Sequence, residues 1–379
     1  MRKVMSRNLH RLLFSAWLIV VITGTCLANN KISKRSERVK TVSRKFKVPH
    51  TVNVNLINKY GPVIVNTWDV DSVKIDIEVT AYGKTSSEAY KILDRVDFDF
   101  FYNRDFLKIE TVLDRKAGFF KELWRDIGDY SKTLLSKTKM RIEIEIYIPA
   151  YSNLTIENKF GDIYLDEMFG ELSVDLSYGN LRANNLSNYS TISVGFGEAR
   201  IKTFDRGRVE LKAATMDIAK TGNLDIISSS STLTIHQANV LKVESRSDKR
   251  LQFDSVNKLT GSSNFSKIRI GNLVQDIEME TVFGELIIEN IGIHFTQIYV
   301  NGRATDIKLH FSPESYFTVD IEARDDKLHL PSVAANLEKN YLDEKKKFVE
   351  VSGTVGKPSN NPSKVRVHVH NGDLDMIIR

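Results

Sequence analysis

Short runs that alternate apolar and polar residues recur along the middle of the chain. Runs such as "LSVDL", "LTI" and "LKVES" place Leu, Ile or Val at every second position, as half-buried strands do. Several runs lie beside an aromatic residue followed by glycine. These pairs are Phe160-Gly161, Phe169-Gly170, Tyr178-Gly179, Phe196-Gly197 and Phe283-Gly284.

The turn positions recur at a nearly constant interval. Gly161, Gly179 and Gly197 are evenly spaced, and Gly284 lies seven steps from the first of them. The same alignment places the remaining corners at Thr215, Ser231, Ser247-Asp248, Ser266 and, less closely, Thr305. Such short runs bury a face only by packing on the runs before and after them. We therefore predict an all-β fold with minor α structure, a β-solenoid of about 18-residue coils over residues 149–312.

Each corner of a coil needs a tight bend, which glycine adopts easily because it lacks a Cβ atom. We assign this structural role to five corner glycines: Gly61, Gly161, Gly179, Gly197 and Gly284. Coils would stack ~4.8 Å apart. The aromatic residue beside a corner is therefore expected to stack on its counterpart in the next coil.

The regions on either side of the repeats have different patterns. Residues 29–148 predict a small α+β strand-rich region, with a strand over 44–56 and a short helix over 86–96 that Thr85 or Ser86 caps. Residues 313–379 predict a C-terminal β cap, which would cover the open edge of the last coil. Within that cap we expect residues 332–346 to form a loop.

Residues 117–137 have the spacing of an amphipathic helix, with apolar residues at steps of three and four. Its apolar face either covers the open end of the protein's own sheet or contacts a partner or a membrane surface. The residues that would make a partner contact are Phe119, Phe120, Leu123, Trp124 and Ile127.

Residues 1–28 predict an export signal. Four basic residues precede the apolar run Leu12 to Ile22, and Cys26-Leu27-Ala28 offers a cleavage point after Ala28. The run is shorter than the ~20 residues of a membrane-spanning helix, which favours cleavage. Cleavage removes the only cysteine, so the mature protein would have no disulfide. The alternative is a lipoprotein with its lipid on Cys26.

Charge argues against a general nucleic-acid-binding role. The net charge is +6, but four of the basic residues lie in the predicted signal, which leaves +2 for the rest. Residues 31 to 47 contain eight Lys or Arg and one acid, Glu37. This basic run is either a patch for an anionic envelope surface or the solvated face of a first strand.

The sequence contains no motif for nucleotide binding, zinc binding or nucleophilic catalysis. His368 and His370 would share one face of a strand, which is more often polar surface than a metal site. Acids beside the corners (Asp162, Glu171, Glu198 and Glu285) suggest glycoside hydrolysis only weakly, because acids are common at turns. We expect no enzymatic activity, no cofactor and no metal.

Three segments resemble the bacterial putative-adhesin family of exported β-solenoid proteins. They are "LINKYGPVIVNTWDVDSVKIDIEVTAYGKTSSEAYKILDRVDFDF", "LTIENKFGDIYLDEMFGELSVDLSYGNL" and "DSVNKLTGSSNFSKIRIGNL", and the resemblance covers most of residues 40–330. It implies a stacked-coil β fold in the envelope of a Gram-negative bacterium, either in the periplasm or at the outer-membrane surface. It carries over no ligand and no catalytic residue. The chain departs from the pattern at Thr215, Ser231 and Ser266.

The sequence therefore predicts a non-enzymatic, exported, adhesin-like protein of the cell envelope. Its repetitive surface would bind an unknown envelope component or a surface glycan. One alternative is a periplasmic structural or signalling module that docks a membrane partner through the helix at 117–137. A third, less favoured hypothesis is a polysaccharide-processing enzyme of the β-helix kind.

Overall fold

A computed structural model describes residues 36–113, 139–331, 335–345, 347–358 and 362–379. The chain is all-β, with 76% strand and 4% helix, and its strands hydrogen-bond into a single large sheet that does not close. The predicted export signal with Cys26 lies outside the described residues. So does the predicted helix at 117–137, with Phe119, Phe120, Leu123, Trp124 and Ile127.

The strands fall into an N-terminal, a middle and a C-terminal part. The N-terminal part contains β1 (Ser36–Lys47), β2 (Asn53–Lys59), β3 (Val63–Trp68), β4 (Ser72–Gly83), α1 (Ser86–Leu93), β5 (Val96–Tyr102), β6 (Phe106–Leu113) and β7 (Met140–Pro149). The middle part contains β8 (Asn153–Lys159), β9 (Ile163–Leu165), β10 (Leu172–Ser177), β11 (Asn180–Gly195), β12 (Glu198–Lys212), β13 (Thr215–Ser229), β14 (Thr232–Arg246), β15 (Arg250–Ile291) and β16 (Gln297–Phe311). The C-terminal part contains β17 (Phe317–Arg324), a 3-10 turn (Asp325–Lys327), β18 (Leu328–His329), β19 (Ala335–Asp343), β20 (Phe348–Val355), β21 (Ser363–His370) and β22 (Leu374–Ile378).

The strands of the middle part pair in parallel with segments about one repeat away. Leu172 pairs with Leu154 on one side and with Ser190 on the other, so the step is equal in the two directions. The step is one residue shorter between β12 and β13 and between β13 and β14, and three residues longer between β15 and β16. Leu, Ile and Val at alternate positions are buried, so each strand contributes one face to a continuous apolar core.

The chain leaves this repeating order once near its N-terminus. Strands β2 and β3 pair with β8 and β9, which lie far along the chain, as Asn53 with Asn153 and Val63 with Ile163. Strands β4 to β7 of the intervening chain, together with β1, form two sets of antiparallel strands, β1–β4–β7 and β5–β6. The strand predicted over 44–56 is not continuous: residues 44–47 end β1 and residues 53–56 begin β2. The chain turns at His50 and Thr51, directly after Pro49, which has no N–H for a strand ladder.

Helix α1 packs against β1 and β4, with Ala89, Ile92 and Leu93 buried. Thr85 is its N-cap, because the Thr85 side chain accepts a hydrogen bond from the backbone N–H of Glu88 at 3.2 Å. The helix ends at Leu93, three residues before the predicted end, because the chain enters β5 at Val96. Within the described ranges, no helix is long and apolar enough to cross a membrane.

The C-terminal strands do not follow chain order either. Strand β21 lies between β16 and β17, so that Val365 pairs with both Ile298 and Val319. The loop predicted at 332–346 is wrong, because β19 occupies Ala335–Asp343 and pairs antiparallel with β20. The sequence of β19 lacks the apolar alternation that identifies a strand. Its side chains are accordingly all exposed or half-buried.

Candidate functional site: an aromatic groove

The corners between strands share one backbone conformation. The residue before each corner position is left-handed, with φ between 49° and 68°. These residues are Tyr60, Phe160, Tyr178, Phe196, Ala213, Ser230, Ser247, Phe265, Phe283, Ala304 and Asn371. The sequence had predicted that the glycine would make the bend, but the residue before it does so, although this conformation costs a non-glycine residue ~1–2 kcal/mol.

The corner glycines are needed for a different reason, which is close approach between neighbouring backbones. A Cβ atom on Gly179 would lie 2.1 Å from the carbonyl oxygen of Gly161, and one on Gly197 would lie 1.9 Å from that of Gly179. A Cβ atom on Gly161 would lie 1.9 Å from the carbonyl oxygen of Gly61. A Cβ atom on Gly61 would lie 2.1 Å from that of Ile142, and one on Gly284 would lie 2.1 Å from that of Ser266. All five predicted corner glycines therefore lie at positions that no side chain fits without movement of the backbone.

One of the predicted corner positions is wrong by one residue. Glu198 pairs with Thr215, so the counterpart of Gly197 is Ala214 and not Thr215. The pairing step between these two strands is one residue shorter than the step before it, and an alignment that assumes a constant step misses the difference. Ser231 and Ser266 each directly follow a left-handed residue, in the same relation as the glycines.

The aromatic residues at four consecutive corners form a stack, here called the aromatic column. Ring centroids are 5.5 Å apart for Tyr60 and Phe160, 5.1 Å for Phe160 and Tyr178, and 4.9 Å for Tyr178 and Phe196. The ring planes differ by 10° or less. The stacking predicted from the sequence repeat is thus present, and it recurs once more between Phe265 and Phe283 at 4.8 Å.

The corner conformation itself does not require an aromatic side chain. Ala213, Ser230, Ser247 and Ala304 adopt the same left-handed φ without a ring. Stacking gives each aromatic pair about 0.5–1.5 kcal/mol beyond the burial of area. The ring of Phe196 nevertheless remains 42% exposed. The column is therefore a surface feature added to a corner that smaller residues also make.

A wall of three antiparallel strands stands beside the aromatic column. Strand β7 begins ahead of its pairing with β3, and the backbone N–H of Ile142 donates to the carbonyl oxygen of Tyr60 at 2.9 Å. On its other side β7 pairs with β4, and β4 pairs with β1, where Glu37 lies opposite Tyr82. The column and this wall enclose the aromatic groove, with a volume of about 1080 Å³.

The charged side chains of the aromatic groove are mostly carboxylates. Three carboxylates (Glu37, Glu143 and Asp162) and one guanidinium, Arg141, line it. Arg141 forms an ion pair with Glu143, with 2.7 Å between Nη2 and Oε2. The groove therefore carries more negative than positive charge.

Two further contacts orient polar groups in the groove. The Asp162 carboxylate accepts hydrogen bonds from the backbone N–H and the side-chain amide of Asn180 at 2.8 and 3.0 Å, and from the Tyr164 hydroxyl at 3.3 Å. Burial raises the pKa of the Tyr60 hydroxyl. The site thus combines an oriented carboxylate, Asp162, with tyrosine hydroxyls beside stacked rings.

The other candidate residues from the sequence lie elsewhere. His370 stacks on Phe348 with 4.9 Å between ring centroids, and His368 lies edge-on to Tyr299. Among the residues that the structure describes, no group of three or more His, Cys, Asp or Glu could hold a metal ion. Of the corner acids, Asp162 lines the groove, whereas Glu198 forms an ion pair with Arg200.

Sequence reasoning found the rings of the column but missed the wall. Tyr60 and Phe160 are visible in the repeated Asn-Lys-Tyr/Phe-Gly segments. Glu37 and Glu143 stand in ordinary alternating strands, and no sequence signal places them beside the corners.

A second residue type in that repeat has an internal role, because the buried amide of Asn158 donates to the carbonyl oxygens of Gly61 and Gly161 at 3.2 and 2.9 Å.

No family model and no curated protein matches this chain. Solved structures similar to it include a putative adhesin from Bacteroides fragilis, with 12% identity, a TM-score of 0.30, and coverage of 71% of this chain and 96% of that one. A putative cell adhesion protein from Clostridium sporogenes has 11% identity, a TM-score of 0.21, and coverage of 91% and 100%. A putative lipid binding protein from Parabacteroides distasonis has 10% identity, a TM-score of 0.28, and coverage of 89% and 97%.

Proposed function

We propose that this chain is a non-enzymatic, exported, adhesin-like protein of the bacterial cell envelope. It is a β-solenoid whose coils span residues 149–312, between a strand-rich N-terminal region (29–148) and a C-terminal β cap (313–379). Its aromatic groove binds an extended partner, which is an envelope component or a surface glycan. Parallel pairing of strands that lie about one repeat apart supports the coil arrangement.

The aromatic groove is the observation that carries this proposal. Its floor consists of rings that the corner conformation does not demand, since alanine and serine make the same corner elsewhere. Its wall consists of strands that continue past the corner of the first coil. A concave surface that combines aromatic side chains with a few oriented polar groups is the usual form of a ligand site.

The test compares an aromatic residue inside the groove with one outside it. Tyr178 and Phe283 both occupy left-handed corners, with φ of 59° and 52°, and both stack on a neighbouring ring. Only Tyr178 lines the groove. The full chain and the variants Tyr178→Ala and Phe283→Ala are applied to an array of bacterial surface polysaccharides and to isolated envelope fractions.

We expect Tyr178→Ala to weaken binding at least about tenfold, which corresponds to the ~1.4 kcal/mol that a well-packed ring contributes. Phe283→Ala should stay within about twofold of the unchanged protein. Thermal unfolding of both variants checks that each is folded. The proposal fails if no partner binds, or if both variants bind as well as the unchanged chain.

A further inference from the structure

We infer that the aromatic groove selects a neutral, hydroxyl-rich glycan and discriminates against acidic polysaccharides. This inference rests on the proposed function and adds the chemical class of the ligand. It depends on three properties of the groove: its charge balance, its hydrogen-bonding side chains, and the backbone hydrogen bonds that β7 already makes to its neighbours.

The charge balance opposes an anionic ligand. The groove contains the carboxylates of Glu37, Glu143 and Asp162 and a single guanidinium, Arg141. That guanidinium is already paired with Glu143 at 2.7 Å, so little positive charge remains for a ligand. A polysaccharide with a carboxylate or phosphate on each repeat would place like charges beside these groups, which is unfavourable at short range.

The hydrogen-bonding groups match hydroxyl donors. Carboxylate oxygens only accept hydrogen bonds, and those made from a hydroxyl to an ionised oxygen are among the stronger ones in proteins. Asp162 is held in place by Asn180 and Tyr164, so its orientation is set before a ligand arrives. A purely apolar ligand would bury such groups without partners, which costs about 1–3 kcal/mol for each.

The backbone of β7, the wall strand beside the aromatic column, is closed to an extended peptide. A peptide usually adds to a sheet through an unpaired strand edge. Strand β7 borders the column but is bonded on both sides, to β4 through the pair Met140 and Ala81 and to the first corner through Ile142 and Tyr60. Recognition at this strand must therefore come from side chains, as in glycan binding.

The spacing of the rings suits a polymer. Three successive steps of 5.5, 5.1 and 4.9 Å repeat the same aromatic environment along the groove. A repeating ligand can occupy several of these positions at once, so each additional unit adds contacts without a new kind of site. A single small molecule would use only one of them.

The test measures binding of hexasaccharides of equal length to the full chain by calorimetric titration. The neutral probes are cellohexaose, maltohexaose and mannohexaose, the acidic probe is hexagalacturonate, and hexalysine is the peptide control. We expect at least one neutral probe to bind at least about tenfold more tightly than hexagalacturonate, a difference of ~1.4 kcal/mol. Its affinity should change little with salt, because no ligand charge is involved.

A charge variant tests the origin of the selectivity. The double variant Glu37→Gln and Glu143→Gln should bind hexagalacturonate several-fold better, because it removes two negative charges and leaves Arg141 without its partner. The matched control is Glu338→Gln, an exposed acid on β19 outside the groove. If the double variant and the control behave alike, the charge argument is wrong.

The remaining outcomes separate this inference from the proposed function. Tighter binding of hexagalacturonate or hexalysine than of every neutral probe, abolished by Tyr178→Ala, overturns the inference but leaves the groove as a binding site. Absence of binding by all hexasaccharides also overturns the inference. If Tyr178→Ala is in addition without effect on the polysaccharide array and on envelope fractions, the proposed function falls as well.

Discussion

The corners from Gly161 to Gly197 and those from Ala214 to Ser266 have the same backbone conformation but are stabilised by different chemical means. In both regions the residue before the corner has a left-handed φ. In the first region the corner residue is glycine, neighbouring backbones nearly touch, and the preceding rings stack on the outside. In the second region the corner residues carry side chains, and buried polar groups hold the coils together.

The polar network of the second region centres on Asp248, which is 2% exposed. One carboxylate oxygen accepts hydrogen bonds from the Ser231 backbone N–H at 2.7 Å and from the Ser228 hydroxyl at 3.0 Å, and the other accepts from the Ser245 hydroxyl at 2.6 Å. The Asp248 N–H in turn donates to the Ser266 hydroxyl at 3.0 Å. A buried carboxylate is tolerated here because its oxygens are bonded.

The difference shows which features the fold requires and which it leaves free. Both regions need a left-handed residue and a way to join neighbouring corners. Glycine joins them through backbone proximity, whereas serine and aspartate join them through interior hydrogen bonds. Neither solution requires aromatic side chains on the outside. Their concentration beside the wall of β7, β4 and β1 is therefore the main structural support for the binding site proposed above.

The largest expected effect comes from adding a methyl group to a glycine corner. In Gly197→Ala the new Cβ would lie 1.9 Å from the Gly179 carbonyl oxygen, so the backbone must move, at a cost of more than about 3 kcal/mol in the free energy of unfolding. The matched control is Gly195→Ala, whose Cβ meets nothing closer than 3.8 Å and should change stability by less than about 1 kcal/mol. Urea denaturation measures both, and equal effects would contradict the role assigned to the corner glycines.

The corresponding change in the serine–aspartate region removes its central acceptor. Asp248→Ala leaves the hydroxyls of Ser228 and Ser245 and the Ser231 N–H without that acceptor, and should lower the free energy of unfolding by about 2–3 kcal/mol. Asp225→Ala changes an exposed carboxylate on β13 and should cost less than about 1 kcal/mol. If both variants unfold at the same urea concentration, the network does not stabilise these corners.

The smallest effect tests an exposed contact on the same coils. The hydrogen bond to Asp254 raises the pKa of His236, which also lies 3.3 Å from Asp217. Since the folded-state pKa exceeds the unfolded value of about 6.5, this contribution is full below that pH and is lost as the pH rises through the folded pKa. The side chain is half exposed, so the effect should be less than about 1 kcal/mol.

The measurement is urea denaturation of the unchanged protein and of His236→Gln at pH 6 and pH 9. The unchanged protein should lose more stability than the variant between these two pH values. An identical pH dependence for the two proteins would show that the contact with Asp254 contributes nothing. In that case the buried network around Asp248 alone would account for the polar stabilisation of the second region.

The repeat in the sequence determined the all-β fold and the stacking of successive rings. Phe160, Tyr178 and Phe196 recur one repeat apart, and such residues become neighbours when short strands bury their apolar faces together. Even here the sequence misplaced one corner at Thr215, because the pairing steps after Gly197 are one residue shorter than those before it. It also assigned the bend to glycine, although left-handed φ falls on the preceding residue.

Only the tertiary structure decided where the wall stands and what the groove contains. Glu37 lies about 100 residues before Arg141 and Glu143, and all three meet the aromatic column because β1, β4 and β7 pair as antiparallel strands beside it. Strand β19 likewise depends on backbone pairing with β20, since its mostly exposed side chains carry no alternation. A local repeat can be recognised from consecutive residues. A groove between strands that are distant in sequence depends on strand pairings that no local pattern specifies.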